Sequence, residues 1–191
     1  TYTPPPLFST QRTIGIEVEA NADLTSTLNL NIAATFQDSQ SRGFATWVAG
    51  APGPQDDTIA RVPDGEADNN PRVMSTTTLT YTPSERFTTF VSWRYLGARQ
   101  ANRFNTFKLP GFSQVDLGAV FNVSKAIQVS ANVNNVLNSQ GVFSWGPAGG
   151  LLASLDRQAF TPAQLAANPN QNFNIIPVQP RAFFVGAAVK F

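Results

Sequence analysis

The sequence contains no cysteine and no histidine. The first absence removes disulfides, thiolate metal sites and cysteine nucleophiles; the second removes a Ser-His-Asp triad and the commonest zinc ligand. Most familiar hydrolase chemistry goes with them, so no enzymatic activity, no cofactor and no metal are expected. Charge is scarce as well. Only 13% of the 191 residues are charged, 13 Lys+Arg against 12 Asp+Glu, which leaves a net charge of +1. That balance lacks the electrostatic footprint of a duplex nucleic-acid binder, so no nucleic-acid partner is expected. Long hydrophobic runs are also missing. The longest, Ala182 to Val189, is about half of what a membrane-spanning helix needs. The chain opens at Thr1 without a basic n-region and apolar h-region.

What is present is uncharged polarity interleaved with apolar side chains. Fifteen Phe, three Trp and three Tyr within a 42% hydrophobic chain provide enough apolar surface for ordered structure. Gln11 to Ala22 places Ile14, Ile16, Val18 and Ala20 on one face, with Thr13, Gly15, Glu17, Glu19 and Asn21 on the other. After the turn residues Asp23 to Ser26, Leu28, Leu30, Ile32, Ala34 and Phe36 alternate with Asn29, Asn31, Ala33, Thr35 and Gln37. Similar runs occupy Arg72 to Thr82, Phe87 to Gly97, Ser113 to Val123, Ile127 to Asn138 and Arg181 to Phe191, seven candidate strands in all. The alternation weakens in the third and fourth, where Thr77 and Phe90 fall on the wrong faces.

The runs are roughly ten residues long, the length of a tilted strand that crosses a bilayer; globular strands average five or six. Connections are short at Asp23 to Ser26, Pro83 to Arg86 and Ser124 to Ala126, and long at Gln40 to Pro71, Ala98 to Pro110 and Ser139 to Pro180. Outer-membrane barrels alternate in this way, with short periplasmic turns and long extracellular loops. Tyr81, Phe87, Phe121 and Phe191 share the apolar parity beside the short turns or chain terminus; Phe36, Trp93, Tyr95 and Phe183 share it at the opposite ends. The two sets resemble interfacial girdles, and Phe183 to Phe191 spans roughly 20 Å after tilt, close to an apolar band of about 25 Å. The expectation is an all-β antiparallel transmembrane barrel segment. A water-soluble sandwich with the apolar face as its core is the alternative. Seven strands cannot close a bacterial barrel, and Thr1 to Ser9 cannot add one, because Pro4, Pro5 and Pro6 remove three consecutive donors.

Several stretches resemble the C-terminal end of the TonB-dependent outer-membrane receptors. They are Asn70-Pro71-Arg72 leading to Leu79-Thr80-Tyr81, Trp93-Arg94-Tyr95-Leu96-Gly97, Leu109-Pro110-Gly111-Phe112 leading to Val115-Asp116-Leu117, and the most specific, Ala131-Asn132-Val133-Asn134-Asn135-Val136-Leu137-Asn138. The resemblance implies the last seven strands of a 22-stranded barrel in a bacterial outer membrane, with residues 1–10 a remnant of an extracellular loop and 11–191 barrel. It further implies nutrient uptake, with a ferric siderophore or similarly scarce ligand as cargo. The partners it implies are membrane lipid, an N-terminal plug and further strands that this chain lacks, and the TonB system acting through that plug. Gly186, Val189 and Phe191 resemble the signal read by the barrel assembly machinery; Phe184 departs from it, where a polar residue is usual. A smaller outer-membrane pore or adhesion barrel, and a soluble carbohydrate-binding sandwich, are the other function classes.

Candidate ligand contacts are the loop residues Arg42, Phe44, Trp47, Arg61, Arg99, Arg103, Phe104 and Trp145, which can stack on and ion-pair with an anionic ligand or pack the loops together. Lumen-facing positions are Glu17, Glu19, Arg94, Asp116, Asn132 and Asn134, with Arg94 and Asp116 expected to pair with each other or with a plug. Asp64 to Asn70 concentrates oxygen ligands, but its Gly is misplaced for an EF-hand, so a solvated acidic loop is expected. Gly146 to Gly150 lacks the Lys-Ser/Thr of a phosphate loop and reads as a turn, and Thr161-Pro162-Ala163-Gln164 reads as a capping box opening a short helix.

Overall fold

A computed structural model describes residues 9–43, 45–47, 59–61, 63–147, 166 and 173–189. In chain order the strands are β1 (Thr10–Thr25), β2 (Leu28–Arg42), β3 (Ala45–Trp47), β4 (Ile59–Arg61), β5 (Gly65–Glu66), β6 (Val73–Ser84), β7 (Phe87–Leu96), β8 (Arg99–Gln100), β9 (Lys108–Leu109), β10 (Phe112–Asn122), β11 (Ile127–Asn134), β12 (Val142–Pro147), β13 (Phe173–Pro177) and β14 (Ala182–Val189). Seven of them form one sheet in the order β1-β2-β6-β7-β10-β11-β14, every neighbour antiparallel, and β5 adds to β2. The long connections carry three hairpins of their own, β3 with β4, β8 with β9 and β12 with β13.

Register turns the alternation of each strand into continuous faces. One row across all seven strands reads Ala22, Leu30, Leu79, Val91, Leu117, Val133 and Phe183, all apolar. A row of the opposite parity reads Glu19, Ala33, Thr76, Arg94 and Gln114. Directly paired residues point to the same side of a sheet, so a slip by one in any strand would break both rows. Trp93 and Tyr95 stack with ring centroids 6.1 Å apart on the apolar side, within the upper girdle. Phe90, on the polar side, sits opposite Gly118, where any Cβ would collide with its ring. The missing side chain makes room for the ring.

Among the described residues nothing covers the apolar face. Among the described residues the buried hydrophobics are Ala67, Ala101, Leu109 and Val178, all outside the seven long strands. Ile14 is 58% exposed, Val129 36% and Val185 82%. A soluble sandwich would bury these under a second layer, so that alternative is overturned. The sheet is a single wall whose apolar side requires a non-aqueous solvent.

Strand ends differ from the sequence expectation in instructive ways. β1 and β2 run for 16 and 15 residues, and the turn between them shrinks to Ser26 and Thr27. β2 continues past Gln37 to Arg42 because Ser39, Gln40 and Ser41 still pair with Thr13, Arg12 and Gln11. Side chains are polar on both faces above the girdle, so hydrophobic periodicity fades although the ladder persists. β11 stops at Asn134 instead of Asn138 because Asn135 adopts φ 50°, which leaves the strand conformation. Of the turn expected over Gly146 to Gly150, Gly146 and Pro147 instead end β12, and the rest lies outside the described residues, as do the capping box at Thr161 to Gln164 and the terminal Phe191; of the run that box opens only Ala166 is described, and it is helical.

The faces generate a test. Val129→Arg should block membrane insertion far more than Asn132→Arg, because a cation facing lipid near the midplane costs about 2 to 4 kcal/mol. Equal yields of heat-modifiable protein from the two variants would contradict the assignment.

Candidate ligand site

Register positions the side chains of the lumen wall. Glu17 and Glu19 lie opposite Thr35 and Ala33, on the side away from Ile16 and Val18. Arg94, Asp116, Asn132 and Asn134 lie on the same side, opposite Thr76, Ser92, Gly118 and Ala182 respectively. The Arg94 guanidinium donates to Asp116 Oδ2 at 2.7 Å. Gln114 Nε2 and the Asn135 backbone N–H each donate to Oδ1 of the same carboxylate at 2.8 Å. Charge-assisted bonds of this kind are stronger than neutral ones, and together they tie β7, β10 and the end of β11 into one fixed wall.

Asn135 in turn anchors the long connection between β11 and β14. Its Nδ2 donates to the carbonyls of Ser139 at 3.0 Å and Gln179 at 2.9 Å, and its Oδ1 accepts from Ser139 N–H at 2.8 Å. The residue is fully buried, and Asn tolerates its left-handed backbone. It fixes both feet of the segment that carries β12 and β13.

That hairpin leans inward against β8–β9. Arg99, only 4% exposed, donates through one guanidinium nitrogen to the carbonyls of Val142 at 3.1 Å and Phe143 at 2.6 Å. Burial without a carboxylate lowers its pKa. Trp145 Nε1 donates to the Ala101 carbonyl, and its ring meets Phe107 edge-on at 5.0 Å. Arg99 and Trp145 therefore brace one loop against another. Arg103 lies 3.6 Å from Asp68 and Phe104 is half-buried, both between β8 and β9. Arg42 has the outward parity of Phe36 and does not face the lumen. Arg61 and Trp47 pair through their backbones with Ala45 and Ile59, and Phe44 lies outside the described residues.

Between wall and hairpin lies a cavity of about 460 Å³. Thr35, Met74, Thr76, Arg94, Leu96, Phe112 and Gln114 line it from the strands, and Phe143, Ile176 and Val178 from the hairpin side. A mostly apolar recess with a few convergent polar groups is the usual form of a small-molecule site. Most of these residues are absent from the sequence-based candidates. A signal for them exists in the sequence: Met74, Leu96 and Phe112 are apolar side chains at lumen parity, crowded at the extracellular ends of β6, β7 and β10.

On the outer side of β8–β9, Glu66 accepts from Gln100 Nε2 at 2.8 Å and pairs with Arg72 at 2.6 Å and Lys108 at 3.6 Å. Asn105 bonds both the N–H and the carbonyl of Glu66 at 2.8 Å, as a neighbouring strand would. The other carboxylates of this acidic stretch are also engaged, Asp64 by the Gly43 N–H and Asp68 by Arg103. Among the described residues no group of three or more potential metal-ligating side chains occurs.

Two outcomes are expected. Asn135→Ala strands three backbone groups and should lower stability by about 2 to 3 kcal/mol, read as an earlier loss of heat-modifiability; an unchanged transition would remove Asn135 as the anchor. The Gln100 hydrogen bond, then Arg72 and Lys108, hold the Glu66 carboxyl below its ordinary 4.5 against the opposing effect of burial. A depressed folded pKa contributes stability that is present above 4.5 and lost as pH falls below it. Hydrogen exchange across 66–68 and 100–108 should therefore be flat from neutral pH down to that value and rise below it, beyond intrinsic exchange; Glu66→Gln should remove the acid-dependent rise. A rise of equal size in Glu66→Gln would refute the linkage.

Known proteins share this architecture. A family model described as TonB dependent receptor-like, beta-barrel, matches residues 2–136. No curated protein sequence is detectably similar. Among solved structures, the siderophore receptor PiuA from Acinetobacter baumannii superposes with TM-score 0.68 at 17% identity, over 93% of this chain and 21% of that one. The ferric yersiniabactin uptake receptor FyuA from Yersinia pestis gives 0.66 at 10% identity, over 96% and 24%. The copper transporter OprC gives 0.60 at 17% identity, over 95% and 24%. The chain thus spans between a fifth and a quarter of the length of these structures.

Proposed function

Because the chain belongs to the TonB-dependent receptor-like β-barrel family, we propose that it is the C-terminal wall and extracellular rim of a receptor that imports a scarce nutrient as a ferric siderophore. Barrels of this family are outer-membrane proteins, and the seven strands lie in that membrane. Further strands would complete the barrel, and an N-terminal plug, coupled to TonB, would gate passage. In this reading residues 1–10 belong to an extracellular loop, 11–191 to the barrel, and the barrel assembly machinery reads Gly186, Val189 and Phe191. Transport of this kind makes and breaks no covalent bond.

The observation that carries the reading is the cavity of about 460 Å³ at the extracellular end of the lumen wall. Its aromatic and aliphatic lining suits the organic body of a chelate, and Arg94, Thr76 and Gln114 supply donors toward its oxygen atoms. PiuA and FyuA, two of the similar structures, are receptors for a siderophore and for ferric yersiniabactin. OprC carries copper, but a bare soft metal ion calls for Cys, His or Met ligands, and this sequence has no Cys, no His and one Met. A chelated metal fits the residues better.

The test is substitution inside the cavity of the receptor that carries this chain. Phe143→Asp with Ile176→Asp should weaken binding of the cognate ferric chelate by at least about tenfold, with barrel heat-modifiability intact. Iron-limited growth and radiolabelled iron uptake should fall in parallel. Unchanged affinity in a folded double variant would sink the cavity as the ligand site.

A further inference from the structure

The cavity between wall and hairpin offers no free positive charge. Among the described residues that line it Arg94 alone is charged, and it donates to Asp116 Oδ2 at 2.7 Å. Gln114 Nε2 and the Asn135 N–H each hold the other carboxylate oxygen at 2.8 Å. An anion that drew Arg94 toward itself would therefore lie beside a carboxylate fixed in place. Two more carboxylates stand close by. Glu17 and Glu19 on β1 are directly opposite Thr35 and Ala33, which line the cavity. Opposed residues of a ladder have Cβ atoms about 5 Å apart, inside a Debye length of about 8 Å. Among the described residues no cation pairs with Glu17 or Glu19. Cations elsewhere in the rim do not restore the balance. Arg99 bonds the Val142 and Phe143 carbonyls but is 4% exposed and does not line the cavity. Arg72 and Lys108 are held by Glu66, and Arg103 by Asp68. Arg12 and Arg42 have the outward parity, and Arg181 shares that of Phe183. Even with Arg99 counted, two cations meet three carboxylates around the recess.

What remains for a ligand is apolar surface and neutral hydrogen bonding. Met74, Leu96, Phe112, Phe143 and Ile176 supply the first. The hydroxyls of Thr35 and Thr76, neither bonded to another side chain among the described residues, supply the second. Arg94 still has nitrogens to donate from, but as half of a neutral pair. A net charge moved from water into such a recess loses hydration that nothing there returns, whereas a neutral complex gives up little and gains apolar contact. The charge of a ferric chelate follows from its donor groups: monoanionic bidentate groups such as hydroxamates just balance iron(III), while dianionic catecholates leave the complex anionic. We propose that the cavity takes a ferric chelate of zero net charge, of the hydroxamate type, and that Asp116, Glu17 and Glu19 discriminate against anionic chelates. The proposal rests on the reading of the cavity as the ligand site. Asp116 then has two tasks, since the same carboxylate that fixes the end of β11 also cancels the cavity's one cation.

The experiment uses the receptor that carries this chain, purified in neutral detergent, and two panels of radiolabelled probes of matched size: neutral ferric tris-hydroxamates and anionic ferric tris-catecholates. Affinities are read by equilibrium dialysis. The tightest neutral complex should bind the wild type at least about a hundredfold more strongly than the tightest anionic one. Asp116→Asn, which leaves Arg94 without its carboxylate, should raise affinity for the anionic complexes at least about tenfold. An anionic complex that binds the wild type as tightly as the neutral ones, yet loses that binding in Phe143→Asp with Ile176→Asp, overturns the charge assignment and leaves the cavity as the ligand site. Binding that the double variant does not change removes the cavity itself, and binding of neither panel overturns both. Unchanged affinity of folded Asp116→Asn for the anionic complexes also overturns the proposal. Should that variant misfold, the comparison of the two panels on the wild type decides alone.

Discussion

A peptide group in hydrocarbon has no water to bond, so every N–H and C=O at that depth must find a partner within the protein. The seven long strands meet this demand by pairing each to the next in sequence, in antiparallel ladders whose register shifts only beside the short turns, at Asp23/Thr25 and Tyr81/Ser84. Once the backbone is satisfied in this way, side chains are free to divide by parity. The apolar set faces lipid, and the uncharged polar set, which gives the chain its low charge, faces the interior. The usual hydrophobic core is then unnecessary: the few buried apolar residues among those described sit in the extracellular connections. The same demand bears on the outer edges of β1 and β14, which pair on one side only among the described residues. The further strands proposed here would satisfy them.

The wall also organises the rim. Arg94, Asp116 and Asn135 form a polar chain from mid-sheet to loop: the carboxylate fixes the end of β11, and Asn135 fixes both feet of the connection carrying β12–β13. Arg99 and Trp145 then press that hairpin against β8–β9. The recess between hairpin and wall is held by bonds that need no ligand, which favours binding by limiting the ordering cost on association. Outside the wall, Glu66 gathers Arg72, Gln100 and Lys108 into a second polar layer. The inner and outer layers of the rim thus have different chemistry, one mostly apolar with few donors, the other charged.

Much of the wall is legible in the sequence because period-two alternation survives wherever one face meets lipid and the other water. Ile14, Ile16 and Val18 announce their strand directly, and the aromatic positions mark the height of the band. Legibility fails where that asymmetry fails. Ser39 to Arg42 continue β2 with polar side chains on both faces, and no pattern in residue type marks them as strand. Phe90 looks misplaced until register puts Gly118 opposite it, a pairing no single strand can disclose. In the rim, Arg99 and Trp145 have the residue types of ligand contacts, yet Arg99 Nη2 and Trp145 Nε1 donate to carbonyls from distant loops. Met74, Leu96 and Phe112 are each ordinary alone; only their shared lumen parity at neighbouring strand ends makes a recess.

The central claim is that lipid touches one parity of these strands and water the other. This chain contains no cysteine, so single cysteines introduced into it can carry spin labels once any cysteine elsewhere in the receptor is replaced. Labels placed one at a time along β11, from Gln128 to Val133, in the reconstituted receptor can be challenged with oxygen, which concentrates in hydrocarbon, and with a water-soluble nickel chelate. Lipid contact on the apolar side requires oxygen to dominate at Val129, Ala131 and Val133 and the chelate to dominate at Gln128, Ser130 and Asn132. Uniform accessibility, or alternation of the opposite phase, would contradict it.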